Sequence, residues 1–268
     1  MDDRAMELSK RLNAVASMVT SGHVVCDVGC DHGYVSIFLV KTKKCPKVYA
    51  LDVREGPLER ARQHVEAYAC TDYIELMLSD GMKEMPAGIA DTLVCAGMGG
   101  RLVIKILTES MEKVRGMKEL VLQPQSEIGL VREFVRREGF VLADEDMVVE
   151  DGKYYPVMRV TIPYVTGQCS KIPSISEKTG LYETSSRKSA KRQAVLDKYG
   201  PILLAKRHPV LKEYLLREEV LLGEIRRKLE EAGGSSGQTA KRRLELEEEK
   251  EQLEIAFAYY KGEGNDAM

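Results

Sequence analysis

Short apolar runs ending in Asp or Gly alternate along this chain with stretches whose apolar residues recur every three or four positions. The first pattern is that of a buried strand and the second that of an amphipathic helix. HVVCDVG (23–29), KVYALDV (47–53), YIELMLSD (73–80), DTLVCAGM (91–98) and KELVLQPQ (118–125) read as strands. Helices are expected over 6–19, 34–40, 57–69 and 101–114. Another is expected over 126–140, capped by Ser126 and closed by Gly139. Residues 141–163 read as two strands joined at Asp151-Gly152, a hairpin signal. Strand alternating with helix predicts an α/β fold with a mostly parallel sheet and helices on both faces. The closing hairpin adds an antiparallel strand.

The pattern changes after Pro163. Residues 166–200 are rich in Ser, Thr, Gly and Lys and read as linker with a short helix. Leu204, Leu211, Leu215, Leu222, Ile225 and Leu229 then follow, mostly at helical spacing, and Leu246, Leu253, Phe257 and Tyr260 repeat the habit more weakly. With GGSSG (233–237) between them, these stretches predict a coiled-coil-like α-helical hairpin. The expected organisation is one α/β domain over 1–163, then linker and C-terminal hairpin over 164–268.

At 44% hydrophobic and 31% charged residues, a chain of 268 residues can build a sizeable core under a well-solvated surface. The six cysteines show no zinc or disulfide spacing, and Cys26 and Cys95 sit inside apolar runs as small core residues. No metal site is expected, and a reducing cytoplasm is the expected compartment. The acidic start of the chain has no signal-peptide character, and no apolar run approaches a membrane span.

The chemistry gathers where strands end. The first strand delivers Asp27-Val28-Gly29-Cys30-Asp31-His32-Gly33-Tyr34. Gly29 and Gly33 permit a tight turn close to a ligand, and the next helix points its N-terminus there. A dinucleotide turn places glycines two and five residues after the first, but here those positions are Asp31 and Tyr34. Asp31 would repel a pyrophosphate, whereas a sulfonium and an ammonium group would be drawn to Asp27 and Asp31. Asp52, followed by Val53, ends the second strand where a carboxylate can accept both ribose hydroxyls. Asp80-Gly81 ends the third, where an acid can bond an adenine amine. Ala96-Gly97-Met98-Gly99-Gly100 ends the fourth in a loop open to close approach. The charge pattern selects S-adenosyl-L-methionine, with Asp27, Gly29, Asp31, Gly33, Asp52, Val53, Asp80, Gly81, Ala96, Gly97 and Met98 as its expected site.

Four elements together, L-S-x-R-L near the start, D-V-G-C-D-H-G-Y, the E-G-P after the second strand, and A-G-M-G-G, resemble bacterial tRNA adenine-N1 methyltransferases. The resemblance implies a Rossmann-like class I methyltransferase sheet with a C-terminal helical hairpin. It also implies methylation of adenine 22 in the D-arm region of tRNA. Asp52 stands where many relatives carry Glu, and either acid can hold a ribose. The fourth strand lacks the [DNS]-P-P-[YFW] pattern of adenine-N6 enzymes, and Cys95 lies within the strand and not in a Pro-Cys nucleophile pair. Adenine N1 already carries a lone pair, so positioning and stabilisation of a cationic product suffice. Asp31 is the candidate for that stabilisation, with His32 and Tyr34 orienting or stacking on a displaced base.

The net charge of −2 makes a local basic excess informative. Residues 187–212 hold Arg187, Lys188, Lys191, Arg192, Lys198, Lys206, Arg207 and Lys212 against Asp197. Such side chains supply most of the affinity for nucleic acid. Arg187, Lys188, Lys191 and Arg192, with Arg11, Gly99 and Gly100 nearer the site, are the expected tRNA contacts; Arg4 and Lys10 would extend the basic face. The chain reads as a monomer with no membrane partner. Two other readings stay open from the residues alone: a methyltransferase of a small molecule or protein, and a non-catalytic RNA-binding protein of the same fold.

Overall fold

Each expected strand forms where its apolar run lies. The computed structural model describes residues 6–163, 187–231 and 237–261. The strands are β1 (Val25–Val28), β2 (Val48–Asp52), β3 (Ile74–Leu78), β4 (Thr92–Gly99), β5 (Glu119–Ser126), β6 (Val141–Glu150) and β7 (Lys153–Thr161). They form one sheet in the order β3-β2-β1-β4-β5-β7-β6. The first five run parallel; β7 is antiparallel to both β5 and β6. Asp151 and Gly152, with φ of 50° and 70°, make the β6–β7 turn. Two successive left-handed residues are what a two-residue hairpin requires.

The helices of this part are α1 (Lys10–Met18), α2 (Tyr34–Lys41), α3 (Glu55–Ala67), α4 (Gly100–Glu109), α5 (Met111–Arg115) and α6 (Ile128–Arg137). Strand alternation sends apolar side chains to both sheet faces. On β5, Val121 joins a core built with α1, α2 and α3, while Leu120 and Leu122 join one built with α4, α5 and α6. On β4, Val94 and the pair Leu93 and Cys95 divide in the same way. Cys26 and Cys95 are fully buried, as their apolar surroundings predict.

Two local expectations are corrected. The helix expected over 101–114 is two, because Ser110 leaves helical geometry at φ −121° and ψ 24°. Ser126 does not cap α6. It ends β5, and the cap position falls to Glu127 in a left-handed conformation. Ser126 donates its hydroxyl to the Glu127 carboxylate instead.

Close contacts divide the chain into two compact units, Met1–Ser170 and Lys171–Met268. The second contains α7 (Arg187–Tyr199), α8 (Pro201–Ala205), α9 (Pro209–Glu231) and α10 (Gly237–Lys261). Arg226 meets Glu247 near one end of the α9–α10 pair, and Tyr260 donates to the His208 carbonyl near the other. The two long helices are therefore antiparallel, with Leu211, Leu215, Leu246 and Leu253 buried. The expected linker over 166–186, most of the GGSSG turn, Arg4 and Cys169 lie outside the described residues.

Candidate functional site

At the C-terminal edge of β1, β2 and β4 lies a cavity of about 420 Å3, where open α/β sheets place their ligands. After Val28 the chain turns sharply. Gly29 and Cys30 both donate backbone N–H to the Leu51 carbonyl, and Gly33 donates to the Cys30 carbonyl. Gly29 has φ 73°, and a Cβ there would lie 2.2 Å from Met98 Cε. The glycine thus lets the Met98 side chain of the β4 loop close onto the β1 turn. Gly33, also at φ 73°, begins α2 and packs against Ala61 without lining the cavity.

Among the lining groups are the carboxylates of Asp27, Asp31, Asp52 and Asp80 and the guanidinium groups of Arg11 and Arg54. Val53, Met98, Leu102 and Ile106 add apolar surface. Asp27 is buried, and its Oδ2 accepts the Ser36 hydroxyl at 2.7 Å. Burial raises its pKa to about 6; Ser36 lowers it and the nearby Asp52 raises it further. A bare carboxylate is expensive there, so the site favours a positively charged ligand. Asp52, also buried, accepts the Arg54 amide at 3.0 Å through Oδ1.

Asp31 occupies the rim, at φ 49° and with its side chain 58% exposed. It faces Arg60 at 3.4 Å and His32 Nε2 at 3.5 Å. His32 and Tyr34 lie together with a residue the sequence did not single out, His64 of α3. The ring centroids of the three are 4.9–5.6 Å apart and their planes are within 27° of one another. Three nearly equal separations describe a shingled triangle, not a column. His64 Nδ1 lies 2.9 Å from the His32 carbonyl, which can only accept, so Nδ1 carries the proton. Helix α3 is thereby tied to the loop that displays Asp31.

The β4 loop is shaped by a register break against β5 between Ala96 and Met98. This bulge turns Gly97 outward at φ 81°. Buried Gln123 of β5 holds it: its Oε1 accepts the Gly97 amide at 3.1 Å and Arg11 Nη1 at 3.0 Å. Arg11 also lies 5.7 Å above the Tyr155 ring. Gln125, Leu102 and Ile106 are contributors that sequence reasoning missed; Gln123, which ends the fifth strand near the site and reads in sequence as structural, holds the loop.

Several expected contacts have structural partners of their own. A Cβ on Gly100 would lie 2.5 Å from the Ser126 carbonyl oxygen, so this glycine permits close packing of α4 on the following loop. Gly100 is buried, and Gly99 precedes it as the helix cap, facing Ser126 Oγ. Packing accounts for Gly100, while Gly99 stays partly exposed beside the loop. Asp80 is exposed and paired with Lys83, whose hydrogen bond lowers its pKa. Gly81 adjoins Ile106 at the cavity edge. In the helical unit Lys191 pairs with Glu251, Lys198 with Glu218, and Arg192 donates to the Tyr259 hydroxyl. The basic run is thus partly neutralised by its own unit. Arg187 and Lys188 begin α7.

These features can be tested against S-adenosyl-L-methionine. Its sulfonium and ammonium suit the buried Asp27 carboxylate, which has no cationic partner among the described residues. Its ribose suits Asp52, and its adenine suits the apolar wall of Val53, Leu102 and Ile106. The residues fit the group. Among the described residues no cluster of three or more His, Cys, Asp or Glu could hold a metal ion.

The comparisons with known proteins agree in the same region. A Bacillus subtilis tRNA (adenine(22)-N(1))-methyltransferase is 35% identical over 153 residues, covering 57% of this chain and 64% of that protein. The aligned part therefore spans a little under two thirds of that relative's length. The crystal structure of the B. subtilis m1A22 tRNA methyltransferase superposes with a TM-score of 0.76 at 26% identity, covering 94% of this chain and 99% of that one. A Streptococcus pneumoniae protein solved with S-adenosyl-L-methionine gives a TM-score of 0.67 at 26% identity, covering 92% and 100%. The family described as "Methyltransferase domain" matches residues 8–158, which contain every residue of the cavity. With the sheet order, the glycine turn and the acidic cavity in agreement with that match, the chain belongs to the methyltransferase-domain family.

Proposed function

We propose that the protein methylates N1 of adenine 22 in tRNA, with S-adenosyl-L-methionine held in the cavity at the edge of β1, β2 and β4. The observation that carries this reading is the buried Asp27 carboxylate beneath a glycine turn, in a cavity with more carboxylates than cations. The name of the B. subtilis relative supports the substrate and the atom. When bound, the cofactor supplies a methyl carbon to the N1 lone pair; the carbon–sulfur electron pair leaves with sulfur, and adenine becomes cationic without losing a proton.

The protein therefore needs no strong base. Asp27 balances positive charge from beneath, and Asp52 orients the ribose. Gln123 fixes the Gly97 loop, and Asp31 at the rim offsets the charge that develops on the base. Tyr34, in the ring triangle with His32 and His64, offers an aromatic surface to a base drawn out of its arm. Phosphate contacts are assigned to Arg11 and to Arg187, Lys188, Lys191 and Arg192; Lys191 is offset in part by Glu251, and Arg192 is steadied by the Tyr259 hydroxyl. The division into an α/β domain over 1–163 and a helical region over 164–268 is read as catalysis in the first and tRNA grip in the second. Cytoplasmic action as a monomer completes the reading.

Transfer of labelled methyl from S-adenosyl-L-methionine to unmodified bulk tRNA, followed by nucleoside analysis, tests the assignment. Label in 1-methyladenosine is expected. Label in another nucleoside, or none from a preparation that binds the cofactor, contradicts it.

A further inference from the structure

A second cavity, of about 620 Å3, lies beside the first. Its volume falls in the range of roughly 300–1,000 Å3 common to small-molecule sites. Arg11, Leu12 and Tyr34 line both cavities, so the two share a wall. The remaining wall comes from residues 6–9 ahead of α1, Tyr68 at the end of α3, and Glu150 at the end of β6. Tyr68 and Glu150 do not line the cofactor cavity. What they add is a second aromatic ring and a carboxylate.

Glu150 is held in a fixed place. Its Oε1 accepts the backbone N–H of Lys10 at 2.7 Å, in the first turn of α1. An acceptor there satisfies one of the amides a helix start leaves open. Its Oε2 has no hydrogen-bond partner among the described residues. Carboxylate and aromatic rings thus meet in a space that opens beside the methyl-donor site.

We infer that this second cavity receives the target adenine, with Tyr34 and Tyr68 against the base and Glu150 accepting a hydrogen bond from the exocyclic 6-amine. The inference rests on the function proposed above and adds the residue that selects adenine. The amine is adjacent to N1 on the same edge of the ring. Guanine presents an oxygen at that position, which a carboxylate repels, and its N1 carries a proton in place of a lone pair. As N1 becomes bonded to carbon, positive charge spreads to the amine, so its hydrogen bond to Glu150 strengthens in the transition state. An interaction stronger there than in the ground state accelerates the step as well as selecting the base.

The test pairs two enzymes with two substrates. Full-length wild type and Glu150→Ala are assayed by kcat/KM on tRNA transcripts carrying either adenosine or purine riboside, which lacks the 6-amine, at the target position. The wild-type preference for adenosine is expected to shrink by about tenfold or more in Glu150→Ala, as for loss of a hydrogen bond to a charged group. Activity on the purine transcript should change little. Glu150→Gln, which keeps an acceptor for the Lys10 amide, should move the preference in the same direction by less. If Glu150 only anchors α1, both substrates lose activity in proportion and the ratio stays constant, which overturns the inference. Because a ratio is read, partial misfolding of a variant does not imitate the expected result. Failure of the wild type to methylate the adenosine transcript is a different outcome: it overturns the proposed function, and the inference with it.

Discussion

Asp27 shows how one side chain can set a stability and an affinity against each other. Its pKa rises from an ordinary carboxylate value of 3.8 to about 6. The unfolded chain therefore loses this proton at a lower pH than the folded chain does. Stability from this group is highest below pH 4, falls as pH rises from about 4 to 6, and stays reduced above. The difference corresponds to about 3 kcal/mol. Asp27→Asn should flatten that slope and raise the melting temperature of the cofactor-free protein at pH 7–8. Cofactor affinity should fall about tenfold or more, since the cation loses its buried partner. Thermal denaturation across pH and calorimetric titration with S-adenosyl-L-methionine check the two halves. A variant that is less stable at pH 8, or that binds as well as wild type, contradicts the assigned role.

At the scale of elements, α6 is fastened to β6 by Arg132 and Glu145, whose side chains are almost wholly buried and meet at 2.8 Å. Removing Glu145 takes the buried opposite charge from beside the Arg132 guanidinium, so Glu145→Ala should cost about 3–5 kcal/mol in urea denaturation. A loss below about 1 kcal/mol would show that Arg132 finds other support. Neither this pair nor the α4–α5 break was legible in the sequence. Arg132 sits in an ordinary amphipathic helix, and the apolar period of 101–114 runs through Ser110 without interruption. The first four strands were legible because each apolar run carries Asp or Gly at or near its end, and Asp27, Gly29, Asp52 and Gly97 among those residues line the cavity. His64, Tyr68 and Glu150 were not. They stand on the far side of α3 and at a hairpin end, and only tertiary folding brings them near Tyr34. Gly100 misleads for a related reason: a glycine needed for packing looks, in sequence, like one needed for a ligand.

At the scale of the whole molecule, a net charge of −2 and a basic run partly paired with its own acids argue for modest attraction to RNA. Phosphate contacts release counterions, while the cofactor cavity binds no polyanion. KM for tRNA should therefore rise several-fold between about 50 and 200 mM salt, with cofactor affinity changing by less than about twofold. Steady-state kinetics with titration of the cofactor at each salt concentration would check this. Equal salt dependence of the two would argue against an electrostatic hold on the tRNA. The central claim concerns the atom and the position, and one measurement reaches both. Two tRNA transcripts, one with adenine 22 and one with guanine there, are incubated with the full-length protein and labelled S-adenosyl-L-methionine. The account predicts 1-methyladenosine at position 22 of the first transcript and no label in the second. Equal labelling of the two, or label on any atom other than N1, would contradict it.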